Sequence, residues 1–206
     1  MEHEDQQVEQ IKQFIKEYGP WIVAGVVIGL GSLFGWRHYQ DSQTQAAESR
    51  TAIYQQMLET LQFSEGDEAS ARAQALAAEL EGSEQGALAQ LHLAQQAVNQ
   101  GDFDAARSYL ESAHATLRSG ELKSIVALRL ARLDIAREDY NSAEAWLNGI
   151  RSSAFAANVA EVRGDIHYAR GNHAAARESY LAAAEASVSG ASTALQMKID
   201  NLAGHE

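Results

Sequence analysis

Histidine, the side chain best suited to acid–base and metal chemistry near neutral pH, stands at positions 3, 38, 92, 114, 167, 173 and 205. None of these sits in a His-Glu-x-x-His pattern. His167 and His173 are six residues apart and straddle a predicted turn, so they do not share a helix face and are not expected to hold a metal. His167 is expected to pack within a repeat, and His173 to lie exposed in the turn. There is no phosphate loop and no Gly-x-Ser-x-Gly elbow. The absence of cysteine removes thiolate nucleophiles, thiolate metal sites and disulfides. Asp134, Glu161 and Asp165 fall on predicted helices and read as solvated carboxylates, and Arg129, Arg132 and Arg137 read as partners of nearby acids. No catalytic, cofactor or metal site is predicted. Function must come from the surface that the helices present.

Those helices repeat. Four segments resemble one another: Gly66-Asp-Glu-Ala-Ser-Ala71, Gly101-Asp-Phe-Asp-Ala-Ala106, Glu138-Asp-Tyr-Asn-Ser-Ala143 and Gly171-Asn-His-Ala-Ala-Ala176. Their first residues are separated by 35, 37 and 33 positions, which brackets the period of about 34 residues of a helix-turn-helix repeat. The glycine suits a left-handed residue that ends a first helix, and the Asp or Asn after it suits the cap of a second. The alanine that closes each segment lets the pair pack closely. Twelve residues before it, a small residue is expected on the first helix: Ala94, Ala131 and Gly164 comply. Glu59 does not, so the stretch from Tyr39 to about Glu81 is a degenerate first repeat whose first helix can continue from the segment before it. The alanine-rich stretch 69–78 reads as a tightly packed helix. The spacing resembles the tetratricopeptide repeat, although the closing proline of that repeat is missing throughout. Stacked helix pairs form a solenoid with an inner wall of first helices. Repeat positions put Gln95, Asn99, Arg132, Asp165 and Tyr168 on that wall, where they could hold an extended peptide or a partner's helix.

Ahead of the repeats, Tyr18 to Trp36 contains no charged side chain. That length is at the lower end of what a helix needs to cross a bilayer core of roughly 30 Å. Tyr18 and Trp21 bracket one end, Trp36 and Tyr39 the other, as interfacial rings do, and Arg37 can snorkel. Pro20 falls in the first turn, where a missing N–H costs nothing. The region upstream is mixed to acidic and Phe-Gly-Trp-Arg is a poor cleavage site, so the segment reads as an uncleaved anchor and not as a signal peptide. Gly25 and Gly29 with Ser32 make one small-residue face and Gly31 with Gly35 another, both suited to close approach of a second membrane helix. The run Gly29-x-Gly31-x-x-x-Gly35 follows no strand and is not a dinucleotide loop. Val8, Ile11, Phe14, Ile15 and Tyr18 fall at helical spacing and predict a short amphipathic helix in the tail. Lys12 and Lys16 on one side nearly balance Arg37 and Arg50 on the other, so the charges leave orientation open.

The formal charge is −12, and 23 acids against 13 bases lie beyond residue 40. A body carrying −10 lacks the basic face that a phosphate backbone demands, so no nucleic acid partner is expected. With one proline, at position 20, and abundant alanine, the chain is expected to be all-α. The predicted organisation is a tail over 1–18, a transmembrane helix over 19–38 and a tetratricopeptide-like helical-repeat solenoid over 39–206.

Nearly end to end, the chain resembles the ancillary SecYEG translocon subunit family (YfgM-like proteins of Gram-negative bacteria). The resemblance rests on Gln7-Val-Glu-Gln-Ile-Lys-Gln-Phe14, the glycine-rich span ending Gly35-Trp36-Arg37, and Leu128-Arg-Leu-Ala-Arg-Leu133. It continues through Val162-Arg-Gly-Asp-Ile166, Gly171-Asn-His-Ala-Ala-Ala-Arg177 and Leu195-Gln-Met-Lys-Ile-Asp-Asn-Leu202. It implies a single-pass type II protein of the inner membrane, with a cytoplasmic tail and the repeats in the periplasm. It also implies association with the Sec translocon (SecYEG) and with a membrane-anchored periplasmic chaperone of the parvulin prolyl-isomerase class (PpiD-like). Exported client chains are further partners under this reading. The function expected is that of a non-catalytic accessory subunit that helps hand emerging chains to periplasmic chaperones. The alternative is a membrane-tethered repeat adaptor scaffolding another envelope complex.

Overall fold

The computed structural model describes residues 2–63, 66–188 and 190–203, and of residues 2–15, 17, 18, 20, 22, 24, 26 and 67 the backbone alone. The predicted tail face of Val8, Ile11, Phe14, Ile15 and Tyr18 therefore lies outside the described side chains, as do His3 and His205. Among the described residues the secondary structure is helical without strands: α1 Glu2–Phe63, α2 Asp67–Glu79, α3 Glu84–Asn99, α4 Phe103–Thr116, α5 Glu121–Ala136, α6 Tyr140–Gly149, α7 Ala156–Ala169, α8 His173–Ala186 and α9 Thr193–Asn201. A 3-10 turn, Ser153–Phe155, precedes α7. The chain divides into two compact units, Met1–Thr51 and Ala52–Glu206.

Within the first unit, the large described apolar side chains of α1 are exposed, among them Trp21, Val27, Ile28, Leu33, Phe34 and Trp36. A Cβ added at Gly25, Gly29, Gly31 or Gly35 would meet no atom of this chain within 4 Å. Among the described residues no helix is long and apolar enough to cross a membrane. Pro20, Ile22, Ala24 and Val26, four residues of the segment read as a span, lie outside the described side chains.

The second unit is a stack of helix pairs, and its turns follow directly from the repeated residues. At the end of α3 the N–H of Gly101 donates to the carbonyl of Val98 (3.0 Å) and that of Asp102 to Ala97 (2.9 Å). Glu138 and Asp139 close α5 in the same way on Ile135 (3.0 Å) and Asp134 (2.8 Å), and Gly171 and Asn172 close α7 on Tyr168 and His167 (both 2.9 Å). These are Schellman closures, and each requires a left-handed residue: φ is 78° at Gly101, 61° at Glu138 and 76° at Gly171. The residue that ends one helix also starts the next. Asp102, Asp139 and Asn172 accept from the N–H of Ala105, Ser142 and Ala175, so one side chain satisfies a donor that would otherwise be orphaned.

The small-residue pairs pack as the spacing predicts. Ala94 with Ala106 and Ala131 with Ala143 are buried in shared cores, and a Cβ on Gly164 would come within 2.4 Å of the Tyr180 ring. The first repeat departs from the pattern in register. Gly66, not Asp67, is the N-cap of α2, without a side-chain bond, and Ala71 is exposed while Ala73 is fully buried. The alanine-rich helix does pack tightly, with Ala73, Leu76 and Ala77 against Met57 of α1 and Leu93 of α3.

Candidate peptide-binding groove

Gln95 and Asn99 are one turn apart on α3, and Arg129 and Arg132 one turn apart on α5. The structure brings all four to one groove of about 440 Å³, within the roughly 300–1,000 Å³ typical of binding pockets. Leu91, Val98, Phe103, Leu110 and Leu133 supply its apolar surface. Val98 remains 42% exposed and Phe103 39%, so the groove offers uncovered apolar area beside two guanidinium groups. Among the described residues neither arginine is ion-paired to a carboxylate, which departs from the expectation that both neutralise neighbouring acids, whereas Arg137 does pair, with Asp104. His92, on α3, stands 3.0 Å from the Tyr54 hydroxyl. Burial, and after it the Arg129 charge, lowers its pKa.

Asp165 and Tyr168 do not line this groove. Asp165 accepts from the Tyr180 hydroxyl (2.8 Å) and from Lys198 Nζ (2.7 Å), and Glu161 accepts from the same ammonium (2.8 Å). Neither is a solvated carboxylate: both are half-buried under α9. Burial opposes the charge on Lys198, but the hydrogen bonds to Asp165 and Glu161 outweigh it and raise the pKa. Burial, then donation to Asp165, raises the Tyr180 phenol well above its ordinary 10.0. Tyr168 is 54% exposed, with its ring 5.3 Å from that of His173. His173 is thus half-buried at the first turn of α8, not exposed in a turn. Asp134 departs furthest from expectation. It is fully buried and accepts from Arg107 Nε (2.9 Å) and Trp146 Nε1 (3.0 Å), because α5 turns it toward α4 and α6 while Arg129 and Arg132 face the groove. Among the described residues no cluster of three or more His, Asp or Glu side chains is arranged to hold a metal ion.

A family profile described as a tetratricopeptide repeat-like domain matches residues 12–204. The ancillary SecYEG translocon subunit of Escherichia coli K12 is 34% identical over 202 residues, 98% of this chain and 97% of that protein. The chain belongs to the ancillary SecYEG translocon subunit family. The family's Haemophilus influenzae member is 30% identical over 199 residues, 97% of both chains, and its Aggregatibacter actinomycetemcomitans member 29% identical over 202 residues, 97% of both. No solved structure matches the chain. Of the residues that repeat spacing assigns to the inner wall of this family member, Gln95, Asn99 and Arg132 meet and Asp165 and Tyr168 stand apart. Arg129, Val98 and Phe103 complete the groove and were not singled out for it. Their signal is the spacing of three between Arg129 and Arg132 and of four between Gln95 and Asn99, which puts each pair on one helix face.

Proposed function

We propose that the chain is a non-catalytic accessory subunit of the Sec translocon that links it to a membrane-anchored periplasmic chaperone of the prolyl-isomerase class and assists passage or folding of exported chains. In this reading the segment 19–38 crosses the inner membrane once, residues 1–18 stay in the cytoplasm and the repeats work in the periplasm. The observation that carries it is the similarity to ancillary translocon subunits over 98% of the chain. The exposed apolar side chains and open glycine faces of α1 support a membrane helix with room for a partner helix. The groove walled by Gln95, Asn99, Arg129 and Arg132 supports a repeat domain that grips a polypeptide and does no chemistry on it.

Co-purification in mild detergent tests the reading, with the intact chain compared against a variant carrying Gly25→Leu, Gly29→Leu and Ser32→Leu. The intact chain is expected to bring down the translocon and a prolyl-isomerase-class chaperone, and the variant to lose both. Retention of both by the variant moves the contact to the repeats. Absence of both from the intact chain overturns the secretion reading in favour of an adaptor for another envelope complex.

A further inference from the structure

A second cleft shares helix α5 with the groove but none of its lining residues. It encloses about 690 Å³ between the α4–α5 turn, the start of α5 and the end of α6. Three cations from three segments line it: Arg118 from the turn, Lys123 from the first turn of α5, and Arg151 from the loop after α6. Glu121 is the single carboxylate among its lining residues, so the cleft carries +2 in a chain whose net charge is −12. Arg118 and Arg151 have no carboxylate partner among the described residues, and Lys123 Nζ donates to the Leu117 carbonyl at 2.6 Å. Beside these cations runs an apolar wall of Ala127, Ala145, Trp146 and Ile150. The wall is fixed: Trp146 is anchored through Nε1 on the buried Asp134, and the His114 ring meets it edge-on with centroids 5.0 Å apart.

We infer that this cleft is a docking site for a short acidic polypeptide segment, its carboxylates received by Arg118, Lys123 and Arg151 and its apolar side chains laid against Trp146 and Ile150. Charge complementarity selects the occupant. On a chain this acidic, a cleft that keeps a net positive charge attracts the carboxylates of a partner. Guanidinium–carboxylate hydrogen bonds are charge-assisted and roughly twice as strong as neutral ones. The apolar wall favours a polypeptide over a bare anion such as a lipid headgroup, which has no side chain to place on the indole. The site is independent of the groove across α3 and α5 and does not require the translocon reading.

Trp146 reports on the cleft directly, since the other tryptophans, Trp21 and Trp36, both precede the repeats. The full-length chain in mild detergent, carrying Trp21→Phe and Trp36→Phe, is titrated with the acetylated peptide Leu-Asp-Leu-Glu-Leu-Asp while indole emission is followed. A saturable change is expected, with the Asn/Gln counterpart of the peptide binding at least about tenfold more weakly. Arg118→Gln with Arg151→Gln is expected to weaken binding by about tenfold or more with no change in the unfolding midpoint, because both side chains are exposed. Arg129→Gln with Arg132→Gln is expected to leave binding intact. The inference is overturned if the amide peptide binds equally, if millimolar acidic peptide leaves the emission unchanged, or if the groove variant loses binding in place of the cleft variant. Saturation by glycerol phosphate without a response to the peptide also overturns it, in favour of a lipid headgroup.

Discussion

The gap between α3 and α5 and the gap between α7 and α9 are built from the same repeat positions and end in opposite states. Counting from the small residue of each first helix, Gln95, Arg132 and Asp165 are equivalent, one step beyond Ala94, Ala131 and Gly164. Counting four beyond the small residue of each second helix, Leu110, Leu147 and Tyr180 are equivalent. In the first gap the floor is Leu110, the walls are amides and arginines, and the groove stays open. In the last gap the floor is Tyr180, and Lys198 of α9 reaches across to both Glu161 and Asp165. The repeat therefore fixes where a binding gap can form. The side chains at two positions decide whether it is open to a partner or sealed by the chain itself.

The largest expected effect comes from breaking the sealed gap at its base. Gly164→Ala would drive a methyl group to 2.4 Å from Cδ1 and Cε1 of a ring that is buried and tethered to Asp165. Overpacking of this kind costs about 2 kcal/mol. The open gap indicates the cure, since leucine faces alanine at the equivalent positions of the two preceding repeats. In a Tyr180→Leu background the same Gly164→Ala change is expected to be close to neutral, so the double-mutant cycle by urea denaturation should show coupling of about 1–2 kcal/mol. An equal cost in both backgrounds would show that the ring is not what excludes the methyl.

A smaller effect is expected from titrating the seal. The Tyr180 phenol and the Lys198 ammonium both have raised pKa values in the folded chain. A raised value means that the folded state holds its proton more tightly than the unfolded state. The stability this provides is fully present below the ordinary values of 10.0 and 10.5 and is lost as pH rises above them. The urea midpoint should thus fall above about pH 10, and it should fall less steeply in Tyr180→Phe, which has no phenol to ionise. Identical slopes would remove the tyrosine from the seal.

How far the sequence reveals these features depends on whether they are local. The turns were legible because Gly101-Asp102, Glu138-Asp139 and Gly171-Asn172 carry their own backbone logic: a left-handed residue, then a cap. The small-residue pairs were legible because a separation of twelve spans one turn between two helices. The groove was half legible, since spacing places Gln95, Asn99 and Arg132 on a face but does not show what stands opposite. Asp134 and Asp165 were misread for the same reason. Their partners, Trp146 and Arg107 for one and Tyr180 and Lys198 for the other, lie 12 to 33 positions away, and a carboxylate on a helix shows no local sign of being covered. The register of α2 is not legible because alanine stands at 69, 71 and 73, and composition cannot tell that 69 and 73, and not 71, are turned inward.

The smallest effect tests the turns against one another. Gly101 and Gly171 occupy the left-handed position without a Cβ; Glu138 occupies it with one, at φ 61°. A left-handed non-glycine residue costs roughly 1–2 kcal/mol, and glycine returns part of that by giving the unfolded chain more freedom. Glu138→Gly is therefore expected to stabilise by about 0.5 kcal/mol, read as a small upward shift in the urea midpoint at unchanged slope. The strain at Glu138 is tolerated because its closure is fixed by its neighbours. The N–H of Asp139 donates at 2.8 Å to the carbonyl of Asp134, whose side chain is itself held between Arg107 and Trp146. The same glycine placed in an Arg107→Ala background should stabilise less, because a loosened Asp134 no longer forces residue 138 into the left-handed region. Equal gains in both backgrounds would mean that the turn is set by its own residues alone.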